Sequence, residues 1–317
     1  MNPKLYSWHV ILNPNALLQR SAAYWDAIEN KLKDVGIDYC RHVTPNADEA
    51  TELIINLCKK GERHFIIVGG DGTLNVFADA VMESQIDSTE IFAALVPLGT
   101  GNDWSRSHGY PKNYLDSIDL LIEGNFKDHD VGRVETIINK QVVDTRYFVN
   151  IAGFGFDGAV IANANKKRRK FLNEQLYLFN LFKTLISFMP QFITLKSNDY
   201  AATKNIFTIA AGIGQYNGNG MRQCPEAITN DGLLDVVMIR KVSFFTVLFH
   251  IKKLFNGTHL ESLKKDVSTF RTDYLELDST PFIPGEVDGE SLMPGNYRIR
   301  CIPSAINFLV STNTASQ

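Results

Sequence analysis

The chain has 317 residues, 44% of them hydrophobic and 21% charged, a composition typical of globular proteins and long enough for two ordinary domains. A net charge of -3 argues against nucleic acid as a partner, and no apolar run is long enough to cross a bilayer. Four cysteines (Cys40, Cys58, Cys224, Cys301) stand far apart without metal-binding spacing, so reduced thiols and a cytoplasmic location are expected.

Ser7–Leu12 reads as a first strand, ending at Asn13-Pro14. A helix follows, with Trp25, Ile28, Leu32 and Val35 on one face and Gly36 closing it. Asp38–Val43 is a second strand, followed by Thr44-Pro45. The next helix carries Ala50, Leu53, Ile54 and Leu57 and stops at Gly61. Phe65–Val68 is an apolar run suited to a strand buried on both faces. It breaks at Gly69-Gly70-Asp71-Gly72-Thr73, and helical spacing resumes at Leu74, Phe77, Ala78 and Val81. Strand, glycine turn and helix aim backbone N–H groups and a helix N-terminus at an anion, usually phosphate. A carboxylate at Asp71 repels phosphate unless a divalent cation lies between them. The alternative is an ordinary turn between strand and helix. Ile91–Val96 is a fourth strand and runs into Pro97–Asp103. Alternating strands and helices predict a parallel sheet with helices on both faces, whose ligands bind at the carboxyl ends of the strands. Thr44 and both glycine loops fall there.

After Gly124 the pattern changes. Val131–Ile138, Val142–Ile151, Ile206–Gly212 and Leu233–Arg240 read as strands, with Asn139-Lys140 as a hairpin tip. Asp273–Leu277, Tyr297–Ile302 and Ile306–Val310 continue a β-rich, mainly antiparallel region. Helical stretches interrupt it near Phe171–Phe188 and Phe244–Asn256. Gly153–Gly158 matches G-x-G-x-x-G, but it follows β-rich sequence and has no second acidic strand end, so a turn lining a cleft is the better reading. No Walker A loop is present.

Gly69–Asn75 together with Pro97–Asp103 resembles the catalytic domain of the diacylglycerol kinase and bacterial lipid kinase family. Pro225-Glu226-Ala227, Asn230–Asp235, Val287–Glu290 and Ile302–Ala305 resemble that family's later motifs, in order along nearly the whole chain. The first loop alone is shared with NAD kinases and phosphofructokinases. The resemblance implies an α/β nucleotide-binding domain over residues 1–128, then a β-rich, sandwich-like lipid domain over 129–304. Residues 305–317 would return a strand to the first domain and then fray, and the active site would lie in the cleft between domains.

The resemblance further implies ATP and Mg²⁺ as cofactors and transfer of the γ-phosphoryl group to a hydroxyl of diacylglycerol or a related lipid. ATP contacts fall to Thr44, Gly69, Gly70, Asp71, Gly72, Thr73, Asn75, Gly99, Thr100, Asn102 and Asp103. Asp71 would act through Mg²⁺, Asp288 would be the general base, and Glu290 is either its support or a surface carboxylate. A second, structural Mg²⁺ would sit at Asp231 with carbonyls of Ile228 and Leu233, where the residues alone favour a plain turn before the strand. The N-terminal loop, Asn13-Pro14-Asn15-Ala16, lacks the family's glycine, and Trp104-Ser105 replaces its leucine-alanine.

The basic run Lys166–Lys170 beside Phe171, Leu172, Leu176, Phe179 and Phe182 fits peripheral contact with an anionic membrane, or else a solvated helix end. A second copy of the chain, as a homodimer, is an open option. Two other classes remain: a soluble-metabolite kinase of the NAD kinase type, and a non-catalytic lipid-binding protein on the same fold.

Overall fold

The computed structural model describes residues 2–14, 21–165 and 174–312. In chain order its elements are β1 (Ser7–Leu12), α1 (Ser21–Val35), β2 (Asp38–Val43), α2 (Ala47–Lys59), β3 (His64–Gly69), α3 (Asp71–Glu83), β4 (Phe92–Pro97), α4 (Asp103–Ser107) and α5 (Asp116–Glu123). They continue as β5 (Phe126–Ile138), β6 (Gln141–Phe148), β7 (Ile151–Gly155), α6 (Phe156–Asn165), α7 (Glu174–Ser187), β8 (Gln191–Ser197), β9 (Ala201–Gly212) and β10 (Leu234–Arg240). The last are α8 (Phe244–Phe255), α9 (His259–Ser262), β11 (Val267–Thr272), β12 (Tyr274–Ser279), β13 (Gly285–Val287), β14 (Glu290–Ser291) and β15 (Asn296–Leu309). The chain divides into two units, one ending at Asp130 and resuming at Ser304, the other Val131–Pro303.

In the first unit the sheet runs β2-β1-β3-β4, all parallel, and the end of β15 adds a fifth parallel strand through Asn307 and Phe308 beside β4. Strand order reverses between β1 and β3, which opens a crevice at their carboxyl ends. One face buries Trp8, Val10, Leu12, Ile66 and Val68 against Trp25, Ile28 and Leu32 of α1 and Ile118 of α5. On the other face Phe65 meets Phe77 of α3. Burial on both faces explains why these strands read as unbroken apolar runs. The start of α2 is set by Asn46, whose Oδ1 accepts from the Glu49 amide at 2.9 Å while its Nδ2 donates to Glu49 Oε1 at 2.7 Å.

The second unit is built of antiparallel pairs. The first half of β9 pairs with β8, and its second half lies between β7 and β10, so one long strand serves two sheet regions. Val134, Phe154, Ile209, Val236, Leu275, Leu277 and Ile299 fill the core between them. Asn139 and Lys140 both take positive φ, at 51° and 66°, which is the hairpin turn between β5 and β6. Val142–Ile151, expected as one strand, is two: it breaks at Val149-Asn150, between β6 and β7. The helix expected at Phe171–Phe188 is described from Glu174, and the Lys166–Lys170 run lies outside the described residues. Gly153–Gly158 forms the β7–α6 junction, and among the described residues β7 pairs antiparallel with β9 and β13, unlike the parallel strands of a dinucleotide-binding unit.

Candidate functional site

Two glycine loops meet at the carboxyl end of the first unit's sheet. A Cβ on Gly70 would lie 2.7 Å from the Gly99 Cα, and one on Gly99 would lie 2.6 Å from the Gly70 Cα. Only bare backbone allows that approach, and the Leu98 amide donates to the Gly69 carbonyl at 2.8 Å beside it. Asp71 opens α3 as its first residue, so the helix begins three residues before the expected Leu74. Its Oδ2 accepts from the Asp103 amide at 3.0 Å and its Oδ1 from the Trp104 amide at 3.1 Å. Burial pushes the Asp71 carboxyl up and those two amides pull it back. Asp71 therefore ties the first loop to the second.

The remaining nucleotide candidates divide by exposure. Gly72 and Thr100 are exposed and Thr73 half-buried, with its Oγ1 accepting from Asn13 Nδ2 at 3.4 Å. A Cβ at Gly72 would meet nothing within 4 Å, so the start of α3 is open to a ligand. Asn102, at φ 51°, folds back: its Oδ1 accepts from the Gly99 amide and its Nδ2 donates to the Gly99 carbonyl, each at 3.0 Å. Its side chain shapes the loop. Asp103 is buried and Asn75 is fully buried in α3. Thr44, also buried, donates from Oγ1 to the Leu12 carbonyl at 3.4 Å. Asn15 and Ala16 of the N-terminal loop lie outside the described residues. Trp104 belongs to the core, fully buried against His108, Tyr110 and Phe308, with its Nε1 3.3 Å from His129 Nε2.

In the second unit Asp288 is buried in the turn after β13, at φ 47°. Its Oδ2 accepts from the Val149 amide at 2.8 Å, and its Oδ1 accepts from the Asn150 and Ile151 amides, both at 3.0 Å. The break between β6 and β7 is what turns three consecutive N–H groups onto one carboxylate. They fix its position and orientation. Glu290 is exposed on β14 and is not part of this network.

The acid beside Asp288 is Glu286, two positions earlier in β13. It is buried, with Oε2 accepting from the Gly289 amide at 2.7 Å and Oε1 from Asn217 Nδ2 at 2.8 Å. Burial pushes its carboxyl well up, opposed by the Gly289 amide and reinforced by the charges of Asp157 and Asp288. Asp157 lies close by: a Cβ on Gly153 would be 2.6 Å from Glu286 Oε1 and 2.8 Å from the Asp157 Cβ. Glu286 lies on β13 and Asp288 in the turn that follows it, so the sequence signal for the pair is their spacing of two.

Burial raises Asp157 from 3.8 to about 6. Folded protein then binds more protons than unfolded protein between those values, so this group makes stability fall as pH rises through the window. Asp157→Asn should remove that slope, worth at most about 3 kcal/mol. Urea denaturation of both proteins across the same pH series checks it; parallel profiles would rule it out.

At the expected second Mg²⁺ site, Asp231 already has partners within the chain. Asp231 Oδ1 accepts from the Leu233 amide at 3.1 Å, and its Oδ2 lies 3.6 Å from Arg271 Nη1. The same guanidinium sits 3.3 Å from Asp235 Oδ1 and donates to the Glu226 carbonyl at 2.6 Å. A divalent ion on Asp231 would have to share that carboxylate with the guanidinium. Arg271 supplies the positive charge that the loop's carboxylates need. Adding or withholding Mg²⁺ should leave the melting temperature of the nucleotide-free protein unchanged, while Arg271→Gln should destabilise it by about 1 kcal/mol. A rise in melting temperature with Mg²⁺ that depends on Asp231 would contradict this. Around the first unit's loops the donors are all oxygen (Asp71, Asp103, Thr73, Asn102), which suits a hard cation arriving with a nucleotide.

Residues 7–134 match the model of the diacylglycerol kinase catalytic domain, and residues 150–310 that of the YegS C-terminal NAD kinase beta sandwich-like domain. The chain is 28% identical over 276 residues to "Probable lipid kinase YegS-like" of Pseudomonas putida, covering 87% of this chain and 86% of that one. It is 26% identical over 300 residues to the protein of the same name from Xanthomonas oryzae pv. oryzae, covering 94% of each. A solved diacylglycerol kinase structure from Bacillus anthracis str. Sterne aligns over 98% of both chains, with TM-score 0.73 and 19% identity. Yeast NADH kinase aligns over 99% of this chain and 85% of its own, with TM-score 0.55 and 9% identity. These two likenesses establish a shared fold.

Proposed function

Because the chain belongs to the lipid kinase family that joins a diacylglycerol kinase catalytic domain to a YegS C-terminal domain, we propose that it phosphorylates diacylglycerol or a related lipid hydroxyl from ATP. The observation that carries this reading is Asp288, a buried carboxylate aimed by three backbone amides. An alcohol is a weak nucleophile at neutral pH, and a positioned carboxylate that takes its proton addresses that weakness. The hydroxyl oxygen bonds to the γ-phosphorus, the bond from that phosphorus to the ADP oxygen breaks, and the hydroxyl proton passes to Asp288. The N-terminus of α3 and the open space at Gly72 receive phosphate, while Asp71 keeps the two glycine loops in register. Mg²⁺ bound with ATP supplies neutralisation of the phosphate charge. Thr73 and Asp103, on the two loops, would hold it.

Among the described residues no helix is long and apolar enough to cross a membrane. We infer that a lipid acceptor is met at the membrane surface. Helix α8 suits that contact. Phe245 and Phe249 are 66% and 76% exposed, and Lys252 and Lys253 follow on the same face. Each lysine near an anionic surface adds about 1 kcal/mol of attraction. A Phe245→Ser/Phe249→Ser variant should sediment several-fold less with anionic vesicles than the parent; equal sedimentation would dismiss α8 as the contact.

ADP release in a coupled assay tests the activity itself. Release that requires lipid micelles is expected. Release that requires NAD instead would favour the soluble-metabolite kinase, and none with any acceptor would favour a non-catalytic lipid-binding protein.

A further inference from the structure

On the face of the first unit's sheet that carries His9 and Phe65, three metal-binding side chains converge. His9 and Cys40 are register partners on the parallel strands β1 and β2, and His42 is two residues beyond Cys40, on the same side of β2. One ligand atom from each lies within 4.8 Å of the other two. His9 Nδ1 is 2.9 Å from His42 Nε2, and His9 Nε2 is 3.0 Å from Glu62 Oε2.

We propose that His9 Nδ1, His42 Nε2 and Cys40 Sγ form a binding site for Zn²⁺, with water as the fourth ligand. The juxtaposition has the parts such a site requires. Two imidazole nitrogens and one thiolate suit a borderline-soft, tetrahedral ion. Glu62 accepts the His9 Nε2 proton, which leaves the Nδ1 lone pair facing the same point as His42 Nε2. A carboxylate behind a ligating histidine is the usual device for fixing its tautomer and ring plane. Tetrahedral Zn–N bonds of about 2.0–2.1 Å place two nitrogens about 3.4 Å apart, so the pair at 2.9 Å need open by only about 0.5 Å. An entry path exists: His42 also lines an open depression with Thr44, Glu49 and Glu52, and Cys40 is exposed. Binding releases the Cys40 thiol proton and clamps the edge strand β2 to β1.

Co²⁺ is the spectroscopic probe. The tag-free full chain, stripped of metal, is titrated with Co²⁺ and then with Zn²⁺. One equivalent of Co²⁺ should produce a thiolate-to-metal charge-transfer band with tetrahedral visible bands, and one equivalent of Zn²⁺ should abolish both. Cys40→Ser should lose the charge-transfer band, His42→Ala should lose stoichiometric binding, and Glu62→Gln should weaken binding about 10- to 100-fold. Circular dichroism verifies that each variant folds, and His42→Gln stands in if the alanine variant does not. No charge-transfer band in the parent, a band that survives Cys40→Ser, or unchanged affinity in both His42 variants would overturn the site.

Discussion

Asp288→Asn should cut lipid phosphorylation about 100- to 10,000-fold, the range lost when a general base is removed. ATP binding should be retained, because the loops around Gly70 and Gly99 belong to the other unit. Asparagine tolerates the positive φ at this position, so the backbone turn survives. Its NH₂ group cannot accept, however, and one side would face an amide of Val149, Asn150 or Ile151 donor to donor. That mismatch costs about 1–3 kcal/mol, so turnover must be compared at a temperature where both proteins are folded. Glu290→Gln is the matched control: its side chain is exposed, and turnover should stay within about twofold, as surface substitutions away from a site do. Asp288→Asn with parental turnover would remove the base from Asp288.

Gly99→Ala should fail in a different way. The added methyl lies 2.6 Å from the Gly70 Cα and 2.8 Å from Asn102 Oδ1, and backbone cannot give way as a flexible side chain can. The loops must part, which breaks the Asp71 bonds to Asp103 and Trp104. A loss of about 1–3 kcal/mol of stability is expected, along with loss of ATP binding. Gly72→Ala separates the two effects. Nothing lies within 4 Å of its Cβ, and alanine in a helix is favoured over glycine by about 1 kcal/mol. That variant should be as stable as the parent or more so, yet bind ATP more weakly, because the space filled is the space left for phosphate. Thermal melts with nucleotide titration read both quantities. Gly72→Ala with unchanged ATP affinity would move the phosphate away from the start of α3.

Much of the first unit was legible because its signals are local. Apolar runs, helical spacing and glycine breaks marked β1 and β2 to the residue and β3 and β4 to within one at either end. Contacts made across the fold were not legible. Nothing near Asp71 announces that its carboxylate will be taken by amides thirty residues on, nor does Asp231 advertise Arg271. Val142–Ile151 reads as one strand because the reason for its break, Asp288, is distant in the chain. Glu290 stands in the recognisable motif, whereas Glu286, buried in β13, was not among the candidates because its burial is set by distant strands. Trp104 looked like a change at the nucleotide loop; the fold makes it core. Strand β8 went unread, its apolar residues being too few to stand out from the polar ones around them.

The central claim is tested most directly by following the γ-phosphoryl group. The full chain is incubated with γ-labelled ATP, Mg²⁺ and mixed micelles carrying diacylglycerol, sphingosine or other lipid alcohols, with NAD in a parallel reaction. The expected result is label in the organic extract as a lipid phosphate monoester, strongest with diacylglycerol or a close relative and absent with Asp288→Asn. Label transferred to NAD, or to none of the lipids, would contradict it.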